Sequence, residues 1–384
     1  MAEGQDQDGD LGTRLAAGAS VGASDALFAL MDALGRVSRA MYPPCLPALA
    51  ACLDEPAAAL SDRQAGLDVP LRDVAALALR ACEGIRQAGD ADNPMLDAYR
   101  ALRLYQRALA LLVEAERRPE VSRFLLPAAM RGDAALAARL ALPGPPGTGV
   151  SHHDNDLRER GGYSVYVPPA LDGAGPGGRA APLVVALHGG LGHGRLFLSN
   201  WVPLARVHRF IVVAPTAVGS TWSLMEPQVD VGHIAAVLDQ VGARWRIDPA
   251  RLLLTGMSDG GTFTLLSGLD DGSPFTHLAP VAASFHPMLL AMTDPRRVAR
   301  LPIYLVHGAL DWMFPVGVAR SAERALTAAG AAVTYREIAD LSHAYPTDEQ
   351  AAMLAWFLTQ PARGRPDSDP DGDAGPSSGR GPGR

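Results

Sequence analysis

After about residue 160, short apolar and β-branched runs alternate with stretches of helical spacing. The runs occupy residues 163–167, 182–187, 210–214, 251–255, 279–284, 302–306 and 332–338. Amphipathic segments lie between them, such as residues 229–245, where one side carries Val231, Ile234, Val237, Leu238 and Val241. Continuous apolar strands separated by helices are typical of a mostly parallel sheet covered on both faces. The sequence therefore predicts an α/β fold for residues 161–360.

The part of the chain before the sheet has helical spacing throughout. Between residues 25 and 143 no alternating strand pattern occurs, and Leu102, Tyr105, Leu109 and Leu112 fall at positions i, i+3, i+7 and i+10 of one helical face. This spacing predicts an all-α N-terminal domain. Its helices could pack on the rest of the protein, close over a site as a lid, or form a homodimer interface, and the sequence does not choose among these roles.

Three segments of the chain have little apolar patterning. Residues 1–24 and 361–384 are predicted to be disordered, and the Pro/Gly-rich residues 144–160 are predicted to be a linker. His152 and His153 lie in this linker beside acidic residues. Contiguous ligands on a flexible segment seldom converge on one ion, so we expect no metal site there.

The overall charge and the cysteines argue against several classes of protein. A formal net charge of −7 disfavours nucleic acid or an anionic membrane surface as the main partner. Cys45, Cys52 and Cys82 are odd in number and lack close metal-ligand spacing, which disfavours a disulfide scaffold or a zinc site. The first residues lack the pattern of a signal peptide, and no run of about 18 apolar residues predicts a membrane span. We therefore expect a cytoplasmic protein.

The pattern G-x-S-x-G occurs three times, around Ser20, Ser258 and Ser377. A serine in this pattern is exposed for attack only where a strand precedes it and a helix follows it. Ser20 lies in a Gly/Ala/Ser stretch with no preceding strand, and Ser377 lies in the tail. Ser258 alone follows a predicted strand, residues 251–255, and precedes a segment that can open a helix. Ser258 is therefore the candidate nucleophile.

Two further side chains follow later strands, where connecting loops meet at the carboxyl edge of an open α/β sheet. Asp311 comes after the strand at 302–306, and His343 comes after the strand at 332–338. His343 would act as general base and Asp311 would orient its imidazole. Asp340 is a rival for the acid, but it lies so close to His343 in sequence that it would have to fold back onto the ring.

A Gly-rich loop directly after the strand at 182–187 predicts an oxyanion-binding site. Backbone N–H groups can approach a substrate there without a Cβ in the way. We predict that the N–H groups of Gly190 and Asp259 bind the oxyanion, with Leu191 as the competing choice for the first donor.

Several side chains near these residues have two interpretations. Trp312, Met313 and Phe314 follow the predicted acid and either line an apolar acyl pocket or pack the loop against the body of the protein. Trp222 has the same two interpretations. His188, at the start of the Gly-rich loop, is interpreted as a structural residue that braces this loop.

Residues 161 to about 360 resemble an α/β-hydrolase-fold esterase of the polyhydroxybutyrate depolymerase and feruloyl esterase-like kind. The matching pieces are "YSVYVP", "LVVALHGG", "RIDPARLLLTGMSDGG", "PIYLVHGALDWMFPV" and "LSHAYP". The resemblance implies ester hydrolysis through an acyl-enzyme, with Ser258, Asp311 and His343 as the triad. Secreted members of that group carry signal peptides, and often disulfides and substrate-binding modules. The sequence shows none of these, which favours a small soluble ester over an extracellular polymer.

The sequence thus predicts a serine esterase of α/β-hydrolase fold that needs no cofactor and no metal. A peptidase of the prolyl-oligopeptidase type is a rival of the same fold, and it would need an acidic anchor for a peptide amine. A catalytically silent relative that works as a binding or scaffold protein is a rival of another class. The complete Ser, Asp and His set disfavours it.

Overall fold

The computed structural model describes residues 22–169, 171 and 178–362. Ser20 and Ser377 lie outside these residues, as do nearly all of the two segments, 1–24 and 361–384, for which disorder is predicted.

The described residues before 142 are mostly helical, which confirms the predicted all-α region. Its α-helices are α1 Ala23–Ala40, α2 Leu46–Ala51, α3 Asp54–Ser61, α4 Val69–Ala88, α5 Pro94–Glu114, α6 Pro119–Phe124 and α7 Ala134–Ala141. The start of α5 follows from its sequence. Pro94 has the φ that the first turn needs, and the Asn93 side chain accepts a hydrogen bond from the Leu96 N–H at 3.2 Å. Among the described helices, none is both long and apolar enough to cross a membrane.

A single eight-stranded, mostly parallel sheet forms the second part of the described chain. Its strands are β1 Gly149–His153, β2 Tyr163–Val167, β3 Ala181–Leu187, β4 Ile211–Pro215, β5 Ile247–Met257, β6 His277–Val281, β7 Pro302–Gly308 and β8 Ala332–Ile338. Their order is β1-β2-β4-β3-β5-β6-β7-β8, with β1 and β2 antiparallel to their neighbours and the remaining pairs parallel. The predicted α/β class is therefore confirmed.

Helices connect the strands and lie on both faces of the sheet. They are α8 Gly194–Phe197, α9 Val202–His208, α10 Gln228–Arg244, α11 Asp259–Gly268, α12 Met288–Ala291, α13 Pro295–Val298, α14 Gly317–Ala328 and α15 Gln350–Thr359. The apolar face predicted for residues 229–245 is the inner face of α10, where Ile234, Val237 and Val241 are buried.

Strand β1 differs from the predicted linker at 144–160. Residues 149–153 pair with β2 at the edge of the sheet. Successive side chains of a strand point to opposite faces, so His152 and His153 diverge. His152 Nδ1 is 2.7 Å from Ser164 Oγ, whereas His153 stacks on the Tyr163 ring at 4.6 Å. The sequence did not indicate this strand because polar residues and Pro/Gly neighbours mask it, and its pairing depends on β2.

The helical region and the sheet share one apolar core. Buried residues of α1, α4 and α5 belong to the same continuous cluster as residues on one face of the sheet, among them Val184, Val212 and Leu253. Helix α5 packs against α8 and the short 3-10 helix Leu198–Asn200 that follows it. The apolar faces of these helices are therefore turned inward, onto the rest of the protein.

A buried ion pair also joins the two regions. Arg206 of α9 is 1% exposed, and its Nε lies 3.2 Å from Oε2 of Glu116, which follows α5. The Tyr166 hydroxyl of β2 donates to the same carboxylate oxygen at 2.9 Å. The Arg206 guanidinium also donates to the carbonyl and hydroxyl oxygens of Ser122, at 3.0 and 2.7 Å. Each charged group is thus paired inside the protein, as burial of a charge requires.

Removing either Arg206 or Glu116 should destabilise the protein, because the remaining charge would stay buried without a counter-charge. We expect Arg206→Met to lower the free energy of unfolding by about 3–5 kcal/mol in urea denaturation. Arg324→Ala, at an exposed position of α14, should change it by less than about 0.5 kcal/mol. Combining Arg206→Met with Glu116→Gln should recover part of the loss. Equal effects of the two single arginine variants would show that the pair contributes nothing.

Candidate active site

Ser258 lies on a sharp turn between β5 and α11. Its backbone has φ 56° and ψ −120°, a conformation that a residue with a Cβ seldom adopts and that costs on the order of 1–3 kcal/mol. The turn is so tight that a Cβ on Gly256 would lie 2.4 Å from the Gly260 carbonyl oxygen. A Cβ on Gly260 would lie 2.4 Å from the His188 carbonyl oxygen. These two glycines therefore permit the turn that presents Ser258.

The structure brings the three predicted site residues together. His343 Nε2 lies 3.0 Å from Ser258 Oγ, and His343 Nδ1 lies 2.9 Å from Asp311 Oδ2. Ser258, Asp311 and His343 are 5%, 8% and 3% exposed. Because an ionised carboxylate only accepts, Nδ1 carries the proton that binds Asp311, and Nε2 is left to accept the Ser258 proton.

Asp311 is held as an anion by its surroundings. Burial opposes its ionisation, but the hydrogen bond and charge of His343, together with the Phe314 N–H and His307, outweigh burial, and the net effect lowers the pKa of Asp311. The backbone N–H groups of Met313 and Phe314 donate to Asp311 Oδ1 at 2.9 and 2.8 Å. His307 lies behind the carboxylate, with Nε2 3.4 Å from Asp311 Oδ2 and donating to the Phe314 carbonyl at 2.9 Å.

Asp340, the rival for the acid, has a different partner. Its side chain is 75% exposed and forms an ion pair with Arg39 of α1 at 2.9 Å. The hydrogen bond from Arg39 lowers the pKa of Asp340. The carboxylate that contacts the His343 ring is that of Asp311.

The loop that carries Gly190 lies close to Asp259, which follows Ser258 in the chain. A Cβ on Gly190 would come within 2.7 Å of Asp259 Oδ2, so the Gly-rich loop and the start of α11 are in contact. Thr221 Oγ1 donates to the same carboxylate oxygen at 2.6 Å. Asp259 is the first residue of α11, so its backbone N–H has no intrahelical acceptor. Leu191 has a positive φ of 55° and is exposed.

His188 braces the Gly-rich loop from below. The Ala217 N–H donates to its Nε2 at 3.1 Å, so Nδ1 carries the proton and donates to the Gly189 carbonyl at 2.7 Å. Trp222 packs on the imidazole and donates from Nε1 to the His188 carbonyl at 2.7 Å. Burial lowers the pKa of His188 to about 3. The ring is therefore a neutral structural group, and Trp222 belongs to this support.

Aromatic side chains surround the His343 imidazole and Ser258. The rings of Trp312 and Phe314 meet the imidazole edge-on, with centroids 6.3 and 5.4 Å away. Tyr99 of α5 approaches from the helical region. The point where a Cβ on Gly189 would lie is 3.9 Å from the Tyr99 hydroxyl and 3.6 Å from Ser258 Cβ. No signal in the sequence indicated Tyr99, because its approach depends on how α5 packs.

Comparisons with known proteins find similarity to esterases in the sheet region. Residues 229–359 match the model of a family described as phospholipase/carboxylesterase. The chain is 30% identical over 135 residues to a bifunctional acetylxylan esterase/xylanase of Neocallimastix patriciarum, covering 34% of this chain and 19% of that protein. It is 30% identical over 126 residues to poly(3-hydroxyalkanoate) depolymerase C of Paucimonas lemoignei, covering 30% of each. The chain thus spans 19% and 30% of the length of these relatives.

Two solved structures are also similar to the chain. A thermostable esterase is 24% identical over 56% of this chain and 63% of its own, with a TM-score of 0.44. A truncated carbohydrate esterase from gut microbiota is 14% identical over 56% of this chain and 98% of its own, with a TM-score of 0.45.

The mostly parallel sheet and the helices that cover it define the fold, which is the α/β-hydrolase fold. In sequence the chain is similar to esterases, through residues 229–359 and the two 30%-identical relatives, and this likeness confirms the resemblance seen in the sequence.

Neutral burial of His188 makes stability depend on pH. Its folded pKa of about 3 lies below its usual value of 6.5, so the unfolded chain binds this proton first as pH falls. The stability that neutral His188 contributes is complete above about pH 6.5 and is lost as pH falls toward 3. We expect the excess unfolding free energy of wild type over His188→Gln to be largest at pH 7 and to shrink by pH 4, in urea titrations. An excess that grew on acidification would contradict this.

Proposed function

We propose that this protein is a serine esterase that hydrolyses carboxylic esters through an acyl-Ser258 intermediate. The observation that carries the proposal is the continuous hydrogen-bonded series from Ser258 through His343 to Asp311 at the end of a strained turn. A serine hydroxyl is a weak nucleophile unless a base removes its proton, and this series supplies that base.

The reaction follows from the positions of these groups. His343 Nε2 accepts the hydroxyl proton as Ser258 Oγ attacks the ester carbonyl carbon. The negative charge that develops on the carbonyl oxygen is stabilised by the N–H of Asp259 and that of Gly190 or Leu191. His343 then returns the proton to the departing alcohol, and a water activated by the same imidazole hydrolyses the acyl-enzyme. Asp311 holds the imidazole in the required tautomer and stabilises its charged form.

A small ester with an apolar portion suits these surroundings. Trp312 and Phe314 place aromatic surface beside the reacting groups, and ligand sites are commonly apolar with a few polar anchors. The complete Ser–His–Asp series supports an enzyme over a silent scaffold protein. A prolyl-oligopeptidase-type activity would require an acidic anchor for a peptide amine, and no acidic pair with that role is apparent in the sequence.

Replacing the nucleophile tests the proposal directly. Wild type should react with a fluorophosphonate probe and hydrolyse short-chain aryl esters. Ser258→Ala should do neither, with kcat/KM falling by roughly 10⁵–10⁶-fold. Ser220→Ala, at an exposed serine, is the matched control and should behave as wild type.

Each of the other outcomes would contradict a specific part of the proposal. If the wild-type protein neither reacts with the probe nor hydrolyses any ester, the esterase proposal fails and the binding or scaffold interpretation is favoured. Labelling that persisted in Ser258→Ala would mean that another serine reacts. Faster cleavage of aminoacyl anilides than of esters would favour the peptidase.

The identity of the acid can be tested with two isosteric changes. Asp311→Asn cannot hold the imidazole in the same tautomer, so kcat should fall by on the order of 10³–10⁴-fold. Asp340→Asn should lower kcat by at most about tenfold, because Asp340 contacts Arg39 and not His343. Steady-state kinetics on an aryl ester measure both. A larger loss in Asp340→Asn than in Asp311→Asn would reverse the assignment.

A further inference from the structure

The loop that carries His343 is attached to the end of helix α1. The Ser342 N–H donates to the Arg39 carbonyl at 3.0 Å, and the Ser342 hydroxyl donates to the Met41 carbonyl. Arg39 lies in the last turn of α1, and Met41 is its C-cap. The last carbonyls of a helix lack intrahelical donors, so Ser342 satisfies two groups that need partners. Ser342 itself is 1% exposed.

The side chain of Arg39 holds the same loop on both sides of the histidine. Its guanidinium donates to both carboxylate oxygens of Asp340, at 2.9 and 3.4 Å, and to Asp348 at 2.5 Å. Asp340 precedes His343 by three residues and Asp348 follows it by five. One planar guanidinium can bind two carboxylates in fixed directions, which a lysine cannot reproduce.

These contacts bear on the imidazole because Ser342 is its neighbour in the chain. Fixing the backbone of residue 342 fixes the direction in which the next residue leaves it. On the sheet side, the Leu310 N–H donates to the Leu341 carbonyl at 3.0 Å. The backbone before His343 is thus held by Leu310 on one side and by the end of α1 on the other.

We propose that Arg39 is a positioning residue for His343, and that the helical region therefore completes the active site from outside the sheet. This rests on the proposed role of Ser258 and His343. The helical region then does more than pack on the sheet, because α1 keeps Nε2 of His343 at hydrogen-bond distance from Ser258 Oγ. A displacement of about 1 Å at a reacting group can cost on the order of 100-fold in rate.

Four variants test this proposal. Arg39→Ala removes the guanidinium, and Asp340→Ala with Asp348→Ala removes its partners from exposed positions where folding is not at stake. Arg39→Lys is the conservative variant. Arg36→Ala, one turn earlier on α1 and exposed, is the matched control.

We expect kcat for an aryl ester and the fluorophosphonate labelling rate of folded protein to fall together, by about 10-fold, in Arg39→Ala and in the double Asp variant. KM should stay within about twofold, because Arg39 does not touch the substrate. Arg39→Lys should recover part of the rate. The urea midpoint of each variant should match that of Arg36→Ala, because exposed ion pairs contribute little to stability.

The outcomes separate this proposal from the one on which it rests. If wild type neither labels nor hydrolyses esters, the esterase assignment fails. If wild type is active and both the Arg39→Ala and double Asp variants keep the kcat and labelling rate of Arg36→Ala, the positioning role of Arg39 is overturned. If Arg39→Ala does not fold, the double Asp variant decides by the same two rates.

Discussion

The site depends on the shared direction of the parallel strands. Because β3, β5, β7 and β8 run in one direction, the segments after them all begin at the same edge of the sheet. Ser258 and His343 are 85 positions apart in sequence, yet they meet there at hydrogen-bond distance. The loops need only a few residues each to complete the arrangement, because the strands have already aligned them.

The same shared direction explains how much of the site the sequence predicted. The strands before these residues contain short apolar or β-branched runs with recognisable ends, so the residues after those ends could be read as neighbours. Ser258, Asp311 and His343 were found in this way. Strand β1 was not, because a short polar edge strand has no pattern of its own and forms only against β2. The role of Arg39 could not be predicted from the sequence either, because its contact with Asp340 spans 301 positions and follows no local periodicity.

The strained turn at Ser258 is held by hydrogen bonds on both sides. Its N–H donates to the Val281 carbonyl of β6 at 2.9 Å, and its carbonyl accepts from the Thr262 N–H at 2.8 Å. The sheet and the first turn of α11 thus offset a backbone conformation that costs on the order of 1–3 kcal/mol. His188 adds a neutral support under the neighbouring Gly-rich loop.

The buried pair of Arg206 and Glu116 has a consequence for how this chain can change over generations. Its cation comes from the sheet half and its anion from the helical half, so neither half could pass into another protein without leaving a bare charge in its interior. The hydrogen bond from the Ser342 hydroxyl to the Met41 carbonyl, at the end of α1, is a second connection between the halves. Recombination at residues 142–148 would fall between α7 and β1. It would nevertheless separate Glu116 from Arg206 and the end of α1 from Ser342. The helical half and the sheet half are therefore expected to be inherited together, and sequence change in one half is constrained by its contacts with the other.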